Sequence, residues 1–137
     1  MKVCLVGCGN ISKCHFSALE KIPGAEITGV ADIIPERAEE KGKKYGCRAY
    51  TDFDLMLKEE KPHCVHICTP HYLHGEMAEK ALSMGINVLC EKPVGISQND
   101  IDIIKAALSK TDAQFGVCFQ NRYNPSAELA ENILKNE

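Results

Sequence analysis

Residues 2–12, KVCLVGCGNIS, join two hydrophobic periodicities. Val3 to Val6 is a continuous apolar run, and from Ile11 onward apolar residues recur at helical spacing. The order is therefore strand, tight turn, helix. At such a junction Gly7 permits the turn, and Gly9 lets a pyrophosphate approach the backbone with no β-carbon in the way. The helix that follows aims its free N–H groups and the positive end of its dipole at an anion. Ser12 stands where the usual spacing has a third glycine, giving Gly-x-Gly-x-x-Ser; serine is still small enough for helix and strand to pack closely.

Bulk properties bound the rest. A chain of 137 residues, 45% hydrophobic and 26% charged, suits one core and one domain. Sixteen Lys and Arg against 19 Asp and Glu leave a net charge of -3, with the basic residues spread along the chain, which argues against nucleic acid as a partner. The first apolar run is too short for a signal segment, and no run is long enough for a membrane span. The expected location is the cytoplasm, with no membrane partner. The eight cysteines fit that location. Cys4, Cys64, Cys68, Cys90 and Cys118 lie in or beside apolar runs and act as small hydrophobes, and no pair has the two-residue gap of a zinc knuckle or redox motif. Cys8 is the one to watch, because a thiol at a helix N-terminus can become reactive; the alternative is an ordinary turn side chain.

Strand and helix signals then alternate. Ile11, Cys14, His15, Ala18, Leu19 and Ile22 form a helical stripe ended by Pro23-Gly24. Ile27 to Ala31 is a second strand ending at Asp32. Pro35 opens a charged helix to about Lys44, with Ala38 and Tyr45 inward. Arg48 to Tyr50 is a short third strand, and Thr51 is expected to cap a helix carrying Phe53, Met56 and Leu57. CVHIC (64–68) is a fourth strand, TPHYLH (69–74) a loop entering a helix lined by Met77, Ala78, Ala81 and Leu82, and Gly85 closes that helix. INVLC (86–90) is a fifth strand leading to Glu91-Lys92-Pro93. Ser97 and Asp100 form a capping box before Ile101, Ile104 and Leu108. Gln114 to Gln120 is a sixth strand. Near-continuous apolar strands separated by amphipathic helices predict an α/β fold, a doubly wound parallel sheet of about six strands with helices on both faces.

In a doubly wound sheet the ligand crevice lies beyond the carboxyl ends of the strands. The residues there are Gly7, Cys8, Gly9, Asn10 and Ile11; Asp32 with Ile33; Thr69, Pro70 and His71; Glu91, Lys92 and Pro93; and Gln120 to Arg122. Asp32 is placed to accept hydrogen bonds from an adenosine ribose and to repel the extra phosphate of NADP, which favours NAD. Arg37, one turn into the next helix, could still tolerate that phosphate. As a purely structural alternative, Asp32 caps a helix. His63, His66, His71 and His74 with Cys64 and Cys68 could be drawn as a metal site, but His63 and His66 face opposite sides of a strand and the others belong to a later loop and helix start; no metal is expected. His15 and His66 are expected to be packed and hydrogen-bonded.

The run CTPHYLHGEMAEKALSMGINVLCEKP, with GCGNIS and the later QNRYNPS, resembles the N-terminal half of the Gfo/Idh/MocA family of nicotinamide-dependent oxidoreductases over nearly the whole chain. The resemblance implies a Rossmann domain, here residues 1–122, followed by a second α/β domain that supplies most of the substrate pocket. It also implies hydride exchange between nicotinamide and a carbinol of a sugar, cyclitol or related molecule. Lys92 matches the family lysine that sits beside nicotinamide and substrate, where an ammonium can stabilise developing alkoxide charge. Glu91 and Pro93 would fix its direction, and the Lys92-Pro93 bond could be cis. The match also brings in His74, three residues before Met77, and Gln120 near the nicotinamide. His71 departs from the family pattern, which most often has Asn there, and Ser12 from its Gly or Ala.

Residues 123–137 then open a helix, with Ala127, Ala130, Ile133 and Leu134 at helical spacing, toward a second domain this chain does not contain. The expected behaviour is a fragment that binds dinucleotide and turns over no substrate, and that self-associates through Leu129, Ile133 and Leu134. A nucleotide-binding sensor and a structural module with a vestigial loop are the alternatives, because fold does not fix function.

Overall fold

Six strands form one parallel sheet: β1 (Lys2–Val6), β2 (Glu26–Ala31), β3 (Arg48–Tyr50), β4 (Cys64–Ile67), β5 (Asn87–Glu91) and β6 (Phe115–Cys118). In the computed structural model, which describes residues 1–136, they lie in the order β3-β2-β1-β4-β5-β6. Every neighbouring pair is parallel. The order reverses between β1 and β4, so the crevice of a doubly wound sheet opens where the Gly7 loop and the Thr69 loop leave their strands. Six helices alternate with the strands: α1 (Ser12–Leu19), α2 (Pro35–Tyr45), α3 (Phe53–Glu60), α4 (His74–Ser83), α5 (Gln98–Leu108) and α6 (Pro125–Lys135).

Side-chain alternation along each strand divides the core in two. Val3, Leu5 and Val30 point to one face and pack on Phe16 and Leu19 of α1. Cys4, Val6, Val65, Ile67, Val88 and Cys90 point to the other, against α3, α4 and α5. Phe16 is wholly buried and stacks on Tyr45 with ring centroids 4.2 Å apart. A ring buried this way contributes about 1.5–3 kcal/mol.

Phe16 also corrects the expected face of α1. The chain around α1 carries two stripes at helical spacing that share His15 and Leu19. The buried one is Ser12, His15, Phe16 and Leu19, while Ile11, Cys14, Ala18 and Ile22 are exposed. The helix starts at Ser12, and its phase brings the larger ring inward. It ends at Leu19, before Pro23-Gly24. A second correction concerns α3: its first helical residue is Phe53, so the capping side chain is Asp52, which accepts the Leu55 N–H at 2.8 Å, and not Thr51.

The capping box of α5 is present. Ser97 Oγ accepts the Asp100 N–H at 3.2 Å, and the Asp100 carboxylate accepts the Ser97 and Ile96 N–H groups at 2.9 Å. Those amides hold the Asp100 carboxyl below the usual carboxylate range. Gly75 on α4 leaves room for it: a β-carbon there would sit 2.8 Å from Asp100 Cβ. The strand expected at Gln114 to Gln120 is shorter, and Gln120–Tyr123 forms a 3-10 turn leading to α6. All eight cysteines are unpaired, and no helix among the described residues is long and apolar enough to cross a membrane.

Candidate dinucleotide site

The loop after β1 is held by backbone contacts that only glycine allows at its first position. Gly7 has φ 88°, its N–H donates to Ala31 O at 2.8 Å, and a β-carbon on it would lie 2.6 Å from the backbone carbon and oxygen of Cys68. Gly9 is the opposite case, since a β-carbon there would meet nothing within 4 Å. One glycine closes the turn on the next strand, and the other leaves an open approach to the backbone. The Asn10 and Ile11 N–H groups have no hydrogen-bond partner among the described residues. They stand at the start of α1, where helix donors are free and the dipole is positive. Ser12 does more than fill the place of a small residue: it is fully buried and its hydroxyl donates to Gly9 O at 2.7 Å, tying the loop to the helix.

Cys8 is not a reactive thiol. It is buried, and burial together with the Asp32 carboxylate pushes its thiol up to about 12. Its backbone N–H donates to Asp32 Oδ2 at 2.8 Å. The other carboxylate oxygen, Oδ1, accepts the Ile34 N–H at 2.9 Å. Asp32 is 8% exposed, so it braces two loops while keeping one edge toward the cleft between them. It does not cap α2, whose N-cap is Ile34.

That cleft has a volume of about 310 Å³ and runs between the ends of β1, β2 and β4. Of the expected cofactor residues, Gly7, Gly9, Asp32, Ile33, Arg37, Thr69 and Pro70 line it. Ile34, Phe53, Tyr72, Leu73 and Met77 also line it and were not expected at the site from the sequence. Tyr72 offered the one available signal, an aromatic side chain in a strand-to-helix loop, where it is indeed exposed. An apolar slot with a single carboxylate, beside an open helix N-terminus, has the donor and acceptor set that an adenosine diphosphate moiety requires.

Lys92 follows β5 on the same carboxyl edge of the sheet as Gly9 follows β1, with β4 between the two strands. It is exposed, its bond to Pro93 is cis, and it lines a separate recess of about 410 Å³ with Phe119, Gln120, Asn121 and Arg122. Crevice and lysine recess therefore flank the Thr69 loop. His71 begins the 3-10 turn His71–Leu73, outside the cleft lining.

Two of the residues expected to contact the cofactor are turned inward. The His74 side chain is fully buried, its Nδ1 lies 2.7 Å from Pro93 O and its Nε2 2.9 Å from Thr69 O, so it clamps the lysine loop to the Thr-Pro loop and has no edge for a ligand. Glu91 is also buried. Oε1 accepts from His15 Nε2 at 3.0 Å and Oε2 accepts the Lys92 N–H at 3.1 Å. Beyond His15, its Nδ1 faces His66 Nδ1 at 3.1 Å. The histidines drawn from sequence as a metal set do not converge. Among the described residues the donor group that gathers is a different one, His15, Glu91 and Cys118, with ligand atoms within 4.8 Å of one another.

His66 carries a measurable consequence. One proton fits between the two facing Nδ1 atoms, so burial first, and then His15, push the His66 imidazole down to about 4. The unfolded chain, with an ordinary value near 6.5, binds more protons than the fold between those two pH values. Stability from this group is therefore complete at neutral pH and is lost as pH falls to about 4, by about 3 kcal/mol in all. Urea unfolding of wild type and His66→Asn at neutral and acid pH checks this; the variant should lose the larger part of that pH dependence.

Comparison with known proteins agrees with this geometry. Residues 1–119 match the family model described as an oxidoreductase family with an NAD-binding Rossmann fold. The chain belongs to the Gfo/Idh/MocA oxidoreductase family. Among members, glucose-6-phosphate 3-dehydrogenase of Bacillus subtilis is 29% identical over 98% of this chain and 38% of that protein. The WlbA dehydrogenase of Chromobacterium violaceum, solved in complex with NADH and UDP-GlcNAcA, superposes with a TM-score of 0.95 at 30% identity, covering 99% of this chain and 40% of that one. The scyllo-inositol dehydrogenase of Lactobacillus casei, solved with bound NAD(H) and scyllo-inositol, gives 0.92 at 25% identity, over 99% and 41%. The chain thus spans about two fifths of the length of these Gfo/Idh/MocA relatives. What they share with it is the NAD-binding Rossmann fold.

Proposed function

We propose that this chain is the cofactor-binding domain of an NAD-dependent dehydrogenase acting on a carbinol of a sugar, cyclitol or related molecule. The observation that carries the proposal is the Asp32 carboxylate, fixed by two amides at the edge of an apolar cleft whose other end is the open backbone of Gly9. Residues 1–122 would form the cofactor domain and residues 123–137 the start of the connection to a second domain; Glu137 lies outside the described residues. Adenosine would occupy the cleft, with its ribose on Asp32 and its diphosphate on the amides of Asn10 and Ile11. Arg37 at the cleft wall leaves room for NADP as the weaker ligand. The eight unpaired thiols fit a reducing, cytoplasmic location.

NAD supplies the hydride acceptor when bound. The Lys92 ammonium, in its recess with Gln120, would stabilise the alkoxide character of a carbinol losing hydride. This lysine at a strand end favours an enzyme over a sensor. The chain alone would bind cofactor without turnover. Thermal or urea unfolding with each dinucleotide tests the proposal. NAD at about 100 times its dissociation constant should stabilise the fold by about 2.7 kcal/mol, and NADP by less at equal concentration. No shift with either dinucleotide would refute cofactor binding.

Helix α6 buries none of its side chains, and Leu129, Ile133 and Leu134 are exposed along it beside Tyr123 and Phe119. An apolar stripe of this kind, left bare, should drive self-association that rises with concentration. Sedimentation velocity checks this. Wild type should shift toward dimer or larger species, and Ile133→Glu should remain monomeric.

A further inference from the structure

We infer that His15 and Glu91 are the positioning pair of Lys92, and that through them the helix carrying the diphosphate loop sets the backbone of the lysine. The inference rests on the proposed role of Lys92 and adds the residues that hold it. Lys92 sits in an exposed segment that has left the sheet, yet its N–H is held by a buried carboxylate, Glu91 Oε2, at 3.1 Å. The other oxygen of that carboxylate is fixed by His15 Nε2 at 3.0 Å, and His15 is in turn fixed by His66 at 3.1 Å. All three residues are buried, at 6–8% exposure. A carboxylate held at both oxygens in a low-dielectric site has one orientation available, so its grip on the Lys92 amide is rigid.

The pair joins elements that carry different parts of the proposed site. His15 lies one turn into α1, on the same helix as Ser12, whose hydroxyl holds Gly9 O. Glu91 ends β5, immediately before Lys92. A displacement of α1 when an anion docks on its N-terminus therefore passes to the Lys92 backbone through two hydrogen bonds, His15 to Glu91 and Glu91 to the Lys92 N–H. Cys118, beside this pair, does not turn it into a metal site: both nitrogens of His15 and both oxygens of Glu91 already have protein partners.

The Lys92 amide resonance of the 15N-labelled chain is the probe. Without ligand, Lys92 N–H should exchange with solvent about tenfold to a hundredfold more slowly than an unprotected amide, the range expected for a hydrogen bond to a charged group. Exchange at the unprotected rate in wild type overturns the inference without any variant. His15→Ala should restore fast exchange and move the resonance, whereas His15→Gln, which keeps an N–H donor to Glu91, should hold both near wild type. Equal exchange in wild type and His15→Ala also overturns it. On adding NAD, the wild-type Lys92 resonance should move in step with saturation of the loop amides, and in His15→Ala the loop amides should respond while Lys92 does not. If NAD moves no resonance, the cofactor proposal fails, and the ligand-free arms still decide on the positioning pair.

Discussion

Gly7→Ala is expected to lower the stability of the domain by about 2–5 kcal/mol, the sum of a left-handed backbone penalty and a forced overpacking. Neither contribution can relax cheaply. The φ of 88° is fixed because the Gly7 N–H is bonded to Ala31 O, and the atoms a methyl would strike, 2.6 Å away, belong to the backbone of Cys68 and not to a flexible side chain. Cys68 leaves the central strand β4, so the clash would separate β1 from β4 at the point where the sheet reverses. For a domain this size the loss is a large part of total stability and should lower Tm by about 6–20 °C. Gly9→Ala is the control. With nothing within 4 Å of its β-carbon, it should shift stability by about 1 kcal/mol or less while weakening NAD binding, because the methyl enters the space a diphosphate would take. Equal stability of the two variants would refute this account of the loop.

Asp32→Ala is expected to weaken NAD about tenfold to a hundredfold and to raise the NADP to NAD affinity ratio by a similar factor. Losing hydrogen bonds to a charged acceptor costs about 1.5–3 kcal/mol, and removing the carboxylate also removes its repulsion of a ribose phosphate that Arg37, on the same cleft wall, could then meet. The substitution has a structural effect as well, because the Cys8 and Ile34 amides lose their acceptor, at about 1–3 kcal/mol for a buried donor left unpaired. The ratio of the two dinucleotide affinities, measured by calorimetry on folded protein, is insensitive to that loss. A ratio unchanged by the substitution, or a wild type that already prefers NADP, would remove Asp32 from the ribose site.

Local order in the sequence was enough for most of the fold. The apolar runs at residues 3–6, 27–31 and 64–67 are strands because their neighbours cover both faces, and the capping box at Ser97 is a contact between residues three apart. Helical phase was harder. Around α1 two stripes share His15 and Leu19, and only the room beneath the helix, filled by Phe16 against Tyr45, selects one. Thr51 and Asp52 are both competent caps, and the choice fell to the residue adjacent to the first helical turn.

The site divides along the same line. Gly7, Gly9 and Asp32 follow strand ends and could be located from spacing alone. The contact between His15 and Glu91 joins residues 76 apart in sequence, and it changes Glu91 from a ligand contact into a buried support. His74 was picked out by resemblance, but its position between two carbonyls is visible only once the loops are in place. The apolar wall formed by Phe53, Tyr72 and Met77 comes from two different helices and a loop, a combination no single stretch of chain announces.

The eight thiols are unpaired, and burial raises those of Cys4, Cys8, Cys47, Cys68 and Cys90 well above the range where thiolate forms at neutral pH. Folding thereby protects the chain from its own sulfur chemistry. Once heated open in air, the same thiols meet freely and crosslink at random, so the melt becomes a one-way process whose midpoint depends on scan rate. Recovery on cooling should be high with a reductant present and poor without it, and every equilibrium measurement on this domain depends on that condition.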